Sequence, residues 1–165
     1  MVAKKDWKNS SMEKNFFTKE QALQKLKHYC GYKEHCHLEV KEKLYSLGVR
    51  KQDHDEILAK LIEENYLNEE RFAVQFAGSK FRINHWGKRK ISFALKEKKV
   101  NEYLIRKALK IDEEEYFNTL RKLAAKKYSS GKAESFLVRK KKTFDYLLQK
   151  GYEPELINQA IGALI

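Results

Sequence analysis

Apolar side chains recur along this chain with the three- and four-residue spacing that places them on one face of an α-helix. Three such stripes are Ala22, Leu26 and Cys30; Val40 and Leu44; and Ile57 and Leu61. Strict alternation of apolar and polar residues, which would indicate strands, is hard to find. Because the 165 residues also include only one proline and seven glycines, the pattern predicts an all-α protein.

Start signals for helices accompany these stripes. Residues 18–21 (Thr-Lys-Glu-Gln) and 112–115 (Asp-Glu-Glu-Glu) fit the capping box, in which the N-cap residue and the third helical residue satisfy each other's backbone amides. Further starts are predicted at Asn68, at residues 53–56 and at Glu153 before Pro154. Acidic side chains and proline are both favoured in a first helical turn.

The helices repeat. Leu44, Leu95 and Leu147 lie 51 and 52 residues apart, and each is followed five residues later by an apolar or aromatic residue. The matching positions are Val49, Val100 and Tyr152, followed by the pairs Ile57/Leu61, Ile105/Leu109 and Ile157/Ile161. The third copy needs about five extra residues, which we place near residues 129–131. Each copy is predicted to contain two helices, a tight turn and a third helix.

This spacing divides the chain into four segments. We predict a flexible extension over residues 1–17 and three-helix repeats over 18–67, 68–111 and 112–165. A single repeat of this size would have a thin core, so neighbouring repeats are expected to pack together. The whole is expected to be a monomer.

The charge is concentrated in the second repeat. The chain carries 35 Lys and Arg against 23 Asp and Glu, a net charge of +12. Residues 73–111 hold eleven basic and two acidic side chains, whereas residues 20–72 hold nine and eleven. Such an uneven field favours an anionic or acidic partner for the second repeat.

The candidate contacts for that partner combine cations with an aromatic side chain, a pairing suited to phosphate contact and base stacking. They are Lys80, Arg82, Trp86, Lys88, Arg89, Lys90, Lys96, Lys98, Lys99, Arg106 and Lys107. Lys88, Lys96 and Lys99 are expected to share a solvent face. Trp86, Phe72, Phe76 and Phe81 are expected in the core, because large aromatic side chains are more often buried. A second basic run, residues 139–142, fits a solvated face equally well.

Catalysis finds little support in the sequence. Phosphate-binding loops, nucleophile elbows and HExxH or CxxC motifs are all missing, so we expect neither an enzyme nor a cofactor. The cluster His28, Cys30, His35, Cys36 and His37 lacks the paired spacing of structural zinc sites. We therefore predict reduced, metal-free cysteines in a cytoplasmic protein without a signal peptide or membrane span.

Three segments resemble the RecX family. Residues 64–73 (ENYLNEERFA) are similar to the family's signature between its first and second repeats, and residues 86–95 (WGKRKISFAL) are similar to a second run. The stretch from Leu147 through Gly151 to Ile157 also fits, although Asn65 and Lys99 stand where the family usually has glycine. The resemblance covers roughly residues 18–165. It assigns a structural signature role to Tyr66, Leu67, Asn68, Arg71, Phe72, Ala73, Gly87, Ile91, Leu95 and Gly151.

The resemblance implies three tandem three-helix repeats in an elongated, curved molecule. It also implies a regulator that lies in the groove of the RecA filament on single-stranded DNA and inhibits RecA recombinase and ATPase activity. The processes concerned are DNA repair, recombination and the SOS response, and weak direct DNA contact is compatible with this role. From the residues alone, a helical-repeat protein that binds duplex or single-stranded DNA without RecA is the alternative. The acidic third helix of the first repeat would be repelled by phosphate in that case.

Overall fold

The structure is a computed structural model, and it describes residues 17–165. The predicted extension at residues 1–17 lies outside the described residues except for Phe17. Over the described residues the chain forms helices and no strands, which confirms the all-α prediction. The helices are α1 (Lys19–Tyr32), α2 (His37–Ser46), α3 (Lys51–Glu63), α4 (Glu69–Arg82), α5 (Lys88–Glu97), α6 (Glu102–Ala108), α7 (Glu113–Ser130), α8 (Phe136–Lys150) and α9 (Pro154–Gly162). In each pair of helices that are in closest contact, both helices belong to the same repeat.

Most of the predicted helix starts are confirmed. Thr18 forms both bonds of the capping box with Gln21, at 3.2 and 3.0 Å. Asn68 Oδ1 accepts a hydrogen bond from Arg71 N at 2.9 Å, and Pro154 occupies the first turn of α9. At Asp112, only the bond in which Oδ1 accepts from the backbone amide of Glu115 is formed, at 2.8 Å.

The predicted start of α3 is wrong by two residues. The helix begins at Lys51 rather than Asp53, because the amide of Asp53 already donates to the carbonyl of Arg50 at 2.9 Å. Asp53 therefore lies in the first turn instead of preceding it. Its carboxylate still lies near the positive end of the helix dipole, so the electrostatic reason for the prediction holds.

The tight turn between the second and third helices has the same geometry in all three repeats. Its central residue has a positive φ: 69° at Gly48, 59° at Lys99 and 96° at Gly151. The next amide donates back to the repeated leucine, from Val49 to Leu44 (3.1 Å), from Val100 to Leu95 (3.1 Å) and from Tyr152 to Leu147 (3.2 Å). These bonds form the six-residue closure of a Schellman motif. The sequence alignment of the three turns is thereby confirmed.

The extra residues of the third repeat do not form a loop at residues 129–131. Ser129 and Ser130 belong to α7, and Gly131 caps it. Much of the added length lies in α8, which has 15 residues against ten each in α2 and α5. Continued helix satisfies the backbone of the added residues internally, which a loop could do only through other partners.

Two hydrophobic cores hold the fold together. One lies within the first repeat and includes Leu44 and Ile57. The other runs from α4 to α9 and contains both Leu95 and Leu147, which are fully buried. The expected packing between neighbouring repeats is therefore extensive between the second and third repeats, whereas the first repeat contributes few residues, such as Cys36, to the shared core.

Candidate interaction surface

The candidate cations of the second repeat do not form one continuous face. Arg82, Arg89, Lys96, Lys99, Arg106 and Lys107 are exposed, and Lys80, Lys88, Lys90 and Lys98 are partly buried. The expectation that Lys88 shares a solvent face with Lys96 and Lys99 holds only in part, because Lys88 is partly buried. The backbone amide of Lys88 donates to the Tyr116 hydroxyl at 2.9 Å, and its Nζ lies 4.7 Å from the centre of that ring. These contacts hold Lys88 against the third repeat.

Several of these cations already have carboxylate partners. Lys98 Nζ lies 2.7 Å from Glu39 Oε1 in the first repeat, and Lys107 Nζ lies 2.6 Å from Glu70 Oε1. Lys96 makes a looser contact with Glu102, at 3.7 Å. The field that a partner meets is therefore weaker at Lys98 and Lys107 than the sequence count implies.

Trp86 is neither fully buried nor an open stacking platform. Its indole is partly buried against the shared core, so the core expectation holds only in part. Lys80 Nζ and Lys90 Nζ lie over the ring, 4.8 and 4.5 Å from its centre. Such cation–π contacts stabilise the indole where it lies. Phe72 and Phe81 are buried as expected, and Phe76 packs against the same core.

Phe93 is an exposed aromatic residue of this region that was not among the predicted contact residues. Its side chain is 64% exposed on α5. It lines an open groove of about 510 Å³ together with Lys88, Arg89, Ser92, Lys96, Leu109 and Glu153. The signal was present in the sequence, because Phe93 falls off the inward stripe of Ile91 and Leu95 and lies on one helical face with Arg89 and Lys96.

Backbone contact between two glycines joins the second and third repeats. The amide of Gly87 donates to the carbonyl of Lys150 at 2.7 Å, and the amide of Arg89 donates to the carbonyl of Gly151 at 3.0 Å. A Cβ on Gly87 would lie 2.3 Å from the carbonyl carbon of Gly151. A Cβ on Gly151 would lie 2.3 Å from the Cβ of Lys90. Both signature glycines are therefore required for this close approach.

Two buried tyrosines complete the same junction. The Tyr116 hydroxyl donates to Glu153 Oε2 at 2.7 Å, and the Tyr152 hydroxyl donates to the carbonyl of His85 at 3.0 Å. Their ring centres are 5.2 Å apart. Burial raises the pKa of both phenols, so they remain neutral hydrogen-bonding groups.

Charged side chains join the first and second repeats. The signature residue Arg71 pairs with Glu34 through Nε at 2.5 Å and donates to the side-chain and backbone oxygens of Asn65, each at 3.1 Å. Asn65 has a φ of 61°, so Arg71 holds the backbone in a conformation that usually favours glycine.

Glu39 is the second charged contact of this junction. Its carboxylate accepts from Lys98 at 2.7 Å and pairs with His35 Nδ1 at 2.8 Å. Burial alone would raise the pKa of Glu39, but the hydrogen bonds from Lys98 and His35 lower it below its ordinary value. The carboxylate is therefore ionised at neutral pH, where Lys98 is also charged.

The remaining signature residues lie mostly inside the fold. Leu67, Phe72, Ala73, Ile91 and Leu95 are buried, and Asn68 caps α4. Tyr66 differs, since its ring is 39% exposed beside Lys27. These positions agree with a structural role for the signature, which stays a prediction.

The cysteine and histidine cluster is spread over two environments. Cys30 packs in the core of the first repeat and Cys36 in the shared core, and neither forms a disulfide. Burial raises the pKa of the Cys30 thiol to about 11. Within residues 17–165, no three His, Cys, Asp or Glu side chains are grouped as metal ligands. That the thiols are reduced and metal-free stays a prediction.

Comparison with known proteins covers most of this architecture. The family model described as the third three-helix domain of RecX matches residues 113–161, and the second three-helix domain matches residues 68–109. A regulatory protein RecX from Chlorobium limicola is 34% identical over 135 residues, which are 80% of this chain and 82% of that protein. The chain belongs to the RecX family. A regulatory protein RecX from Clostridium perfringens (strain 13 / Type A) is also 34% identical, over 76% of this chain and 60% of its own length.

Solved structures of RecX proteins have the same fold. RecX from Lactobacillus salivarius superposes with a TM-score of 0.81 at 22% identity, over 88% of this chain and 96% of that one. A crystal structure of another regulatory protein RecX gives the same TM-score at 20% identity. The chain spans roughly half to three fifths of the length of the first curated RecX relatives that it matches.

Over residues 17–165, every helix is too short or too polar to span a bilayer.

Proposed function

We propose that this RecX-family chain is a regulatory protein that binds the RecA filament on single-stranded DNA and inhibits RecA recombinase and ATPase activity. Membership of a family whose curated members are named regulatory proteins supports the regulatory role. The RecA partner, the inhibition, the cytoplasmic location and the place in DNA repair and the SOS response come from the family resemblance. We include in the proposal that the chain has no catalytic activity of its own.

The observation that carries the filament-binding part is the set of exposed cations on α5, on α6 and in the turn between them. Arg89, Lys96, Lys99 and Arg106 are all exposed in the repeat with the largest net positive charge. A filament made of DNA and protein presents phosphate and carboxylate groups, and cations of this kind attract both. Lys80, Lys88, Lys90 and Lys98 lie over aromatic rings or pair with Glu39, so they contribute less to binding.

We also propose the repeat boundaries 18–67, 68–111 and 112–165 as functional units. The matches of separate family models to residues 68–109 and 113–161 support the last two. The difference in charge between the first and second repeats supports the proposal that the second repeat attracts the filament.

The alternative, a helical protein that binds DNA without RecA, is disfavoured by the third helices. In α3 of the first repeat, Asp55, Glu56 and Glu63 are exposed and would face the phosphates of a duplex. The α6 helix of the second repeat has only seven residues, so it offers few side chains that could contact bases in a groove.

A RecA ATPase assay on single-stranded DNA tests the proposal. Addition of the chain should lower the rate of ATP hydrolysis, and the chain should co-sediment with RecA only when DNA and nucleotide are present. A mobility-shift assay with naked duplex is the control for the alternative. Tight duplex binding together with an unchanged ATPase rate would support the DNA-binding protein instead.

A further inference from the structure

We propose that Phe93 and the cations beside it form a binding site for single-stranded nucleic acid, in which an unpaired base stacks on the phenyl ring and Arg89 and Lys96 contact neighbouring phosphates. This inference deepens the proposed function and rests on it for the presence of a DNA strand. The groove is lined by residues of the second repeat together with Glu153 of the third repeat.

Folding does not explain a phenyl ring at this position. The repeat alignment places Phe93 two residues before Leu95, just as Glu42 precedes Leu44 and Asp145 precedes Leu147. All three side chains are exposed. Two repeats thus fold with a carboxylate where the second repeat exposes 64% of a phenylalanine to water. Covering that ring with a partner would gain the free energy of apolar burial, which the fold leaves unused.

The neighbouring charges favour a nucleic acid as that partner. Arg89 lies four residues before Phe93 and Lys96 three residues after it, so the two cations lie about 10 Å apart along the helix axis with the ring between them. An aromatic surface between cations is the arrangement with which single-stranded nucleic acids are bound without sequence preference. The carboxylate in the groove, Glu153, is held by the Tyr116 hydroxyl at 2.7 Å.

Trp86 does not provide the same surface, although it is the larger ring. Lys80 and Lys90 already lie over its indole, and the indole packs against the shared core. The first amides of α5 are also engaged, since Lys88 N and Arg89 N donate to protein acceptors. Binding therefore depends on the side chains of Arg89, Phe93 and Lys96.

Fluorescence anisotropy with a labelled oligothymidylate, across a salt series, tests the site directly. Phe93→Ala should weaken binding roughly 5- to 100-fold, the range expected for one stacked base. Because the ring is uncharged, this variant should leave the salt dependence unchanged. Arg89→Gln should reduce the slope of log affinity against log salt by roughly 0.7. Phe93→Trp should retain affinity, and Phe93→Leu should lose it, because leucine is apolar but cannot stack.

Two controls keep the test decisive. Leu137 is 74% exposed on α8, so Leu137→Ala removes an apolar side chain that is at least as exposed as Phe93 and should leave oligonucleotide affinity unchanged. Phe93→Glu restores the residue type of the first repeat, so it should fold normally while repelling phosphate. Oligonucleotide affinity within twofold of wild type for Phe93→Ala would overturn the site. Full affinity in Phe93→Leu would also overturn it, because leucine cannot stack on a base.

Failure of this site and failure of the proposed function give different results. If Phe93→Ala binds oligonucleotide normally while wild type inhibits RecA ATPase, the filament role holds and the stacking site is wrong. If wild type leaves the ATPase rate unchanged but Phe93→Ala loses oligonucleotide affinity, the stacking site holds and the filament role is wrong.

Discussion

The two junctions between repeats are built from different interactions. The second and third repeats share a hydrophobic core and approach so closely at Gly87 and Gly151 that neither can carry a Cβ. The first and second repeats are joined mainly by side-chain charges, from Arg71 to Glu34 and from Lys98 to Glu39. Apolar burial and backbone contact are little affected by salt or moderate pH, whereas ion pairs respond to both. The junction between the second and third repeats is thus rigid, whereas the junction between the first and second depends on contacts that salt and pH can weaken.

The largest expected effect concerns the cores. Leu95→Ala should cost roughly 2–5 kcal/mol, because Leu95 is fully buried in the core shared by the second and third repeats. Hydrogen exchange should show both of these repeats losing protection together. Leu44→Ala, in the separate core, should expose mainly the first repeat. Uniform loss of protection in both variants would mean that the three repeats unfold as one unit.

A smaller effect is expected from the glycine contact. Gly87→Ala forces a Cβ to within 2.3 Å of the Gly151 backbone, so the two repeats must separate slightly. We expect a loss of roughly 1–3 kcal/mol in the free energy of unfolding, measured by chemical denaturation. Gly31→Ala is the control, since a Cβ there meets nothing within 4 Å. Equal stability of the two variants would show that the junction is looser than described.

The charged junction should respond to pH through Glu39. Its pKa is lowered from an ordinary value of 4.5, so its contribution is complete above pH 4.5 and is lost as the pH falls through the lower folded value. The Lys98 pKa is raised above 10.5, so the partner's contribution is lost only as the pH rises beyond that. Glu39→Gln should therefore cost roughly 1 kcal/mol near neutral pH.

Denaturation of wild type and Glu39→Gln over a pH series measures this contribution. The difference between the two proteins should shrink below pH 4.5, where the wild-type carboxyl becomes protonated and resembles the amide. Glu42→Gln, an exposed position on the same helix, is the matched control and should follow the wild-type curve. If the difference in stability stayed constant down to acid pH, Glu39 would stabilise the fold by something other than its charge.

The smallest effect concerns the turn of the second repeat. Lys99 adopts a φ of 59° where the first and third repeats have Gly48 and Gly151. Lys99→Gly should raise stability by about 0.5–1 kcal/mol, because glycine adopts this conformation without steric cost. Thermal denaturation measures the gain. A lower midpoint would mean that the exposed lysine side chain stabilises the turn by other contacts.

The sequence predicted the repeated elements well because their signals are local. Leu44, Leu95 and Leu147 mark turns whose closing hydrogen bonds join residues only five positions apart, so a periodic pattern is enough to align them. Which cations are available could not be predicted in this way. Lys98 is neutralised by Glu39, 59 residues away, and Lys88 is held by Tyr116, 28 residues away. Such pairings depend on how repeats pack, and no local pattern encodes them.

Phe93 is a different case, since its position was readable. It lies off the inward stripe of α5 and between two cations on the same helical face. An aromatic side chain is usually predicted to lie in the core. Assigning Phe93 to its helical face is enough to predict that it is exposed instead. Trp86 differs again, because the sequence predicts a core position and the packing buries its indole only in part.

The most direct test of filament binding by the second repeat reverses its exposed cations. Arg89→Glu combined with Lys96→Glu avoids Lys88 and Lys90, which lie against aromatic rings near the glycine junction. Lys41→Glu combined with Lys51→Glu makes the same change of charge at exposed positions of the first repeat. Both pairs should leave the fold intact, since surface substitutions usually change stability by no more than about 0.5 kcal/mol.

Inhibition of RecA ATPase on single-stranded DNA, measured across a salt series, then compares the two proteins. We predict that the Arg89/Lys96 reversal weakens inhibition roughly tenfold at low salt and makes the remaining inhibition less sensitive to salt. The Lys41/Lys51 reversal should stay close to wild type. Equal inhibition by wild type and the Arg89/Lys96 reversal at every salt concentration would contradict the assignment of filament binding to this surface.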